Sequence, residues 1–251
     1  MIRRSIIAAA VGFVLVAATP LAAVAQVEEA RPPVAERSEI RPERDLAGIK
    51  ARALEAIDRR LDRIARLEEE VRSNEHVEPE HAEDLLGELS RAATGLSGLA
   101  EEIEAAETAE ELRVLIPKIA TDYRVYVLLT PKVREVLIAD AMGDLADRFD
   151  EAAARIADAI ARAEEAGYDV SEAETALERM ESLVDEAEGL AEGVPPAVLP
   201  LTPSDWPDPA QGVIREAHDD LVEARQAFRG ARDAAHEAVR ALRAAIGDDE
   251  V

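Results

Sequence analysis

Glu75-His76-Val77-Glu78-Pro79-Glu80-His81 gathers two imidazoles and three carboxylates in seven residues. Imidazole nitrogen and carboxylate oxygen are the ligand types that hold zinc and other divalent ions. The spacing, however, matches no strict ligand motif. Its helical context places His76 in a turn and His81 in the first turn of the following helix. Glu75, His76, Glu78, Glu80 and His81 are therefore weak candidate ligands, and no dedicated metal site is expected. The pattern predicts diffuse zinc or calcium binding without fixed stoichiometry. Acidic residues at a helix start are also favoured by the helix dipole alone.

The other histidines carry less. His218 precedes Asp219 and Asp220, and His236 precedes Glu237. Neighbours on a helix point in different directions, so these pairs are not catalytic dyads by spacing. The chain has no cysteine, and it shows no glycine-rich phosphate loop, serine elbow, zincin motif or calcium loop. The sequence thus predicts no enzyme and no cofactor. Gly95 and Gly98 fall inside a helical stretch, where glycine costs about 1 kcal/mol relative to alanine. Close approach of a neighbouring helix is the expected reason. Trp206 lies in a proline-rich stretch and is expected to staple it to the protein body.

Charge excludes several partners. The 251 residues hold 29 basic and 54 acidic side chains, a formal charge of −25. Such a surface repels nucleic acid and anionic lipid and attracts cations or basic proteins. The expected partner is a protein or envelope component, more basic than acidic.

The N-terminus gives an address. Arg3 and Arg4 precede the uncharged run Ile6 to Ala18, Pro20 ends it, and Ala23-Val24-Ala25 is a small-x-small cleavage pattern. Residues 1–25 read as a secretory signal, and the run is short for a membrane span, which needs about 20 apolar residues. The mature chain is expected to begin at Gln26, secreted or at the cell envelope, with charge 27 − 54 = −27 after loss of Arg3 and Arg4. With no cysteine, no disulfide or lipid anchor holds it there. Residues 26–44, broken by Pro32, Pro33 and Pro42, read as a disordered leader, and residues 248–251 as a tail.

From Asp45 onward the spacing is helical. Leu54, Ile57, Leu61, Ile64 and Val71 stripe a first helix. Leu89, Ala92, Leu96, Leu99 and Ile103 stripe a second. Ala176, Met180, Leu183, Ala187 and Leu190 stripe a fifth, and Ile214, Ala217, Leu221, Ala224, Phe228, Ala231 and Ala235 a sixth. Thr108 with Glu111, and Ser171 with Glu174, form capping boxes. Asp208-Pro209 and Thr130-Pro131 read as helix starts, and Gly167 as a helix end. Pro117 should kink or split the third helix. The fold expected is all-α: about six amphipathic helices in an elongated bundle.

Two duplicated three-helix units are expected, residues 45–130 and 131–247. Ile57 and Ile64 match Phe149 and Ile156 at an offset of 92, Val77 matches Val170 at 93, and Thr108 matches Asp208 at 100. The proline-rich linker 194–207 falls within the second unit.

Thr121 to Lys132 breaks the pattern by being apolar on nearly every side. A helix hydrophobic all round is buried all round. Tyr123, Arg124, Tyr126, Pro131 and Lys132 are thus expected at the packed junction of the two units, with an exposed docking patch as the rival role. On that reading Tyr126→Ala would cost about 3–5 kcal/mol. Tyr123-Arg124-Val125-Tyr126 running into Pro131-Lys132, with Gly167-Tyr168-Asp169-Val170-Ser171 as a second stretch, resembles a group of secreted bacterial all-helical proteins with no known activity. The resemblance covers most of Asp45 to Gly247 and departs at Pro117. It implies secretion and a helical fold, and nothing about mechanism.

Overall fold

The computed structural model describes residues 42–247. The expectations for residues 1–25, for most of 26–44 and for 248–251 lie outside the described residues.

Every long apolar stripe becomes a helix. The order is α1 (Pro42–Ser73), α2 (Pro79–Ala105), α3 (Ala109–Thr121), a π-helical turn (Val125–Leu129), α4 (Thr130–Glu165), α5 (Ser171–Glu192), a short α6 (Val194–Val198), a 3-10 turn (Pro203–Asp205) and α7 (Ala210–Ile246). No strand occurs among the described residues. The all-helical class agrees with the spacing, and the proline-rich linker 194–207 contains α6 and the 3-10 turn. No described helix is long and apolar enough to cross a membrane.

Packing follows the stripes. α1, α2 and α3 pack on one another, and α4, α5 and α7 form a second set with α6 lying against it. Ile57, Ile64, Leu67 and Val71 of α1 are buried, as are Leu89, Ala92, Leu96, Leu99 and Ile103 of α2. Leu54, Leu61, Leu183, Leu190, Ile214 and Ala235 are half-buried, flanking their stripes. Phe149 of α4 stacks on Phe228 of α7, with ring centroids 5.5 Å apart. Alanine dominates the buried face of α7, so α5 and α7 can pack closely.

The ends differ from expectation in places. Thr108 and Glu111 form the expected capping box. Hydrogen bonds from the Glu107 and Thr108 amides hold the Glu111 carboxyl below its ordinary pKa. Gly167 ends α4 at φ +90, where a side chain would be strained. Ser171, by contrast, is not a cap. It is the first residue of α5, and its amide and hydroxyl donate to Asp169 Oδ1 at 3.2 and 2.8 Å. Asp208 does not cap α7 either, which starts at Ala210 after Pro209. Pro117 leaves α3 continuous. Pro117 and Arg113 are both exposed, so water can bond the carbonyl that loses its partner.

The two glycines of α2 separate. A Cβ on Gly95 would lie 2.6 Å from the Tyr123 ring, whereas one on Gly98 would meet nothing within 4 Å. Close approach explains Gly95 alone, and the approaching group is a side chain rather than a helix.

Candidate metal centre

The acidic turn folds against α4. Asn74 to Glu78 connects α1 to α2, and Pro79 opens α2 at a position that needs no amide hydrogen. Glu78, the N-cap residue, makes no side-chain cap. Its amide donates instead to Asp140 Oδ2 at 3.0 Å, 62 residues away. His81 Nδ1 lies 2.9 Å from Asp140 Oδ1 and 3.9 Å from Glu78 Oε2. One donor atom from each of Glu78, His81 and Asp140 falls within 4.8 Å of the others. Asp140 is buried at 7 % exposure. One turn along α4, Asp144 Oδ2 meets His76 Nδ1 at 2.5 Å.

The turn and α4 form one wall of a cavity of about 400 Å³. Asp140, Asp144 and Asp147 share a helix face at i, i+4 and i+7. Ala139 and Gly143 leave the floor low, and Glu188 and Glu192 of α5 close the far side with Pro195 and Pro196. The lining holds six carboxylates and two imidazoles, and no lysine or arginine. Burial, then the charges of Glu192, Asp150, Asp147 and Asp185, pushes the Glu188 carboxyl above its ordinary pKa. Chemically the cavity suits a cation: it offers oxygen and nitrogen donors and no internal counter-charge.

Of the residues expected from sequence, His76, Glu78 and His81 come together. Glu75 and Glu80 stay exposed and outside the cavity lining. The missing partners are Asp140 and Asp144. Their i, i+4 spacing on one face of α4 was the available signal. It names a face and leaves open what that face meets.

The junction residues take other roles. Lys132 is fully buried, and its ammonium donates to Glu88 Oε2 at 2.7 Å and to the carbonyls of Leu199 and Leu201 at 3.1 and 2.5 Å. An ammonium has three donors, so none remains for a ligand in the neighbouring concavity of about 570 Å³ that it lines with Arg91 and Tyr123. Arg124 takes a left-handed conformation at φ 42 and donates from Nε to the Pro203 carbonyl at 3.0 Å. Tyr123 covers Gly95. Burial, followed by the charges of Asp122 and Glu102, raises its hydroxyl pKa. Pro131 sits in the first turn of α4.

Tyr126 corrects the expectation of all-round burial. It is 48 % exposed and Val127 is 41 % exposed, while Val125, Leu128 and Leu129 are buried. The π turn is the cause: Leu128 and Leu129 amides both donate to the Arg124 carbonyl, which turns residues 126 and 127 outward. Tyr126 lies along α1, its hydroxyl donating to the Arg59 carbonyl at 3.1 Å and its ring facing the Arg60 guanidinium at 5.2 Å.

His218 and His236 form no dyad with their sequence neighbours. His218 Nδ1 lies 3.4 Å from Glu135 Oε1. Glu135 Oε2 is buried without a hydrogen-bond partner, and nothing in the surrounding structure explains it. Trp206 is half-buried against the core, the stapling role expected of it.

No protein-family model matches the chain, and no curated protein and no solved structure matches it.

Proposed function

We propose that this protein is an acidic, non-catalytic helical bundle that acts outside the cytoplasm and binds cations in the cavity between the α1–α2 turn, α4 and the start of α6. One observation carries the reading: six carboxylates and two imidazoles line one cavity without a lysine or arginine. Carboxylates brought together without a counter-charge repel one another, and a bound cation relieves that repulsion. The raised pKa of Glu188 reflects the same repulsion together with burial. The signal pattern of residues 1–25 supports export, where the bundle serves as a structural or interaction module for a basic envelope partner. The order of α1–α3 and of α4, α5 and α7 supports an internal repeat, although α3 has 13 residues and α7 has 37.

Ligand that binds only the folded state raises the melting temperature by mass action. Magnesium, calcium and zinc chloride should each be titrated into the protein at low ionic strength. At least one should raise the melting temperature, with a smaller rise in the triple variant Asp144→Asn, Asp147→Asn, Glu188→Gln. No rise with any of the three ions would refute the reading.

A further inference from the structure

Within the cation-binding cavity, on which this inference rests, three donors stand apart from the rest. Glu78 and His81 come from one end of α2, and Asp140 from the middle of α4. The other carboxylates of the lining, on α4 and α5, are oxygen donors only. The cavity's nitrogen donors, His76 and His81, thus come from the α1–α2 turn and the start of α2, while Asp147, Glu188 and Glu192 supply oxygen alone.

We infer that Glu78, His81 and Asp140 form a site for one zinc-class divalent ion, with a fourth position open to water. Two ligands held about 2.0–2.1 Å from a tetrahedral zinc lie about 3.3 Å from each other. His81 Nδ1 lies 2.9 Å from the Asp140 oxygen and 3.9 Å from the Glu78 oxygen. These two separations bracket the tetrahedral value, the third pair lies within 4.8 Å, and the exposed Glu78 side chain is the one that turns inward to complete the set. Asp140 Oδ2 already accepts the Glu78 amide hydrogen at 3.0 Å. This bond orients the carboxylate as outer-shell bonds orient metal ligands. The donor set also selects the ion. Calcium takes six to eight oxygen ligands and magnesium keeps an octahedral oxygen shell, whereas one imidazole with two carboxylates suits zinc or a neighbouring transition ion. His76 and Asp144 form a second nitrogen–oxygen pair one helical turn along α4. Bound by Glu78, His81 and Asp140, the ion would tie the α1–α2 turn to α4 and so join the first helix set to the second.

Calorimetry with zinc, calcium and magnesium chloride on the parent and on His81→Ala tests this. Zinc should bind one to one and tighter than calcium by about 100-fold or more. His81→Ala should lose about 100-fold in zinc affinity, since even supporting partners of a ligand are worth about 10–100-fold. Calcium affinity should be unchanged. The chain has four histidines, so zinc added to the unaltered protein should shift the His81 ring resonances strongly and leave His218 and His236 in place. That readout needs no variant. Zinc binding no tighter than calcium, or no shift at His81, overturns the inference while cation binding by the cavity stands. Failure of all three ions to bind overturns both.

Discussion

Lys132 and Asp140 are both buried charges on α4, eight residues and therefore about 12 Å apart along the helix. Their surroundings are opposite. The Lys132 ammonium uses all three donors on Glu88 and two carbonyls of the α6–α7 connection. Asp140 accepts one amide hydrogen and faces one imidazole, in a cavity with five other carboxylates. A charge whose partners are supplied entirely by the protein is a fastener. A charge among like charges leaves a place for an ion of the opposite sign. The same helix carries both because its N-terminal end is covered by α2 and the residue 199–201 loop, while its middle lines the cavity.

The largest expected effect is on the closed site. Lys132→Met should lower stability by about 3 kcal/mol in denaturant unfolding, because it strands Glu88 and two carbonyls. Breaking buried pairs costs about 3–5 kcal/mol, and the partly exposed Glu88 side chain (21 %) places this one at the low end. A loss under about 1 kcal/mol would show that Lys132 is dispensable, and the contrast with Asp140 would collapse.

Gly95→Ala tests the support beside that site. The new Cβ would overlap the Tyr123 ring, and overpacking costs about 1–3 kcal/mol. Gly98→Ala, with nothing in reach, should instead stabilise by about 0.5–1 kcal/mol. Melting curves of the two variants should move in opposite directions, and a shared direction would remove the role assigned to Tyr123.

At the open site, metal-free Asp140→Ala should cost about 1–2 kcal/mol through the lost Glu78 amide bond, less than Lys132→Met. Relief of carboxylate repulsion offsets part of that cost. A penalty matching that of Lys132→Met would make Asp140 a fastener as well.

Tyr126→Ala should cost about 1–2 kcal/mol, the scale of one hydrogen bond and half a ring. The 3–5 kcal/mol of a core aromatic would reinstate the buried junction read from sequence.

The smallest effect is on pH dependence. The folded-state pKa of Glu188 is raised above the ordinary 4.5, so the folded protein binds this proton more readily than the unfolded chain. Its contribution to stability is therefore fully present below the ordinary value and lost as pH rises through the raised folded one. Glu188→Gln should flatten that part of the stability profile above pH 4.5 and raise stability at neutral pH. Parallel profiles of the two proteins would show that the carboxyl is not strained.

Much of the architecture was legible because amphipathic stripes record which helix face is buried. Leu89 to Ile103 are buried as read, and the Thr108 box and Gly167 stop depend only on nearby residues. Reading failed where geometry departed from a regular α-helix. The π turn exposes Tyr126, which a 3.6-residue wheel buries. The caps at Ser171 and Asp208 failed because α5 starts one residue earlier, with Ser171 bonded to Asp169, and α7 one residue later, after Pro209. Half of the candidate site was visible at His76, Glu78 and His81, and the other half was hidden on α4 59 to 68 residues away.

Local composition therefore determined the helices, their buried faces, the acidic surface and the ligand-type residues of the 75–81 turn, because each depends on residues within a few helical turns. Tertiary packing alone decided that Asp140 and Asp144 meet that turn, that Lys132 is neutralised within the protein and that Tyr126 faces outward. Those outcomes depend on which faces of distant helices are brought together. A side chain's energy there is set by the charges and dipoles around it in space, and a hydrophobic pattern records only that a face is covered, not by what.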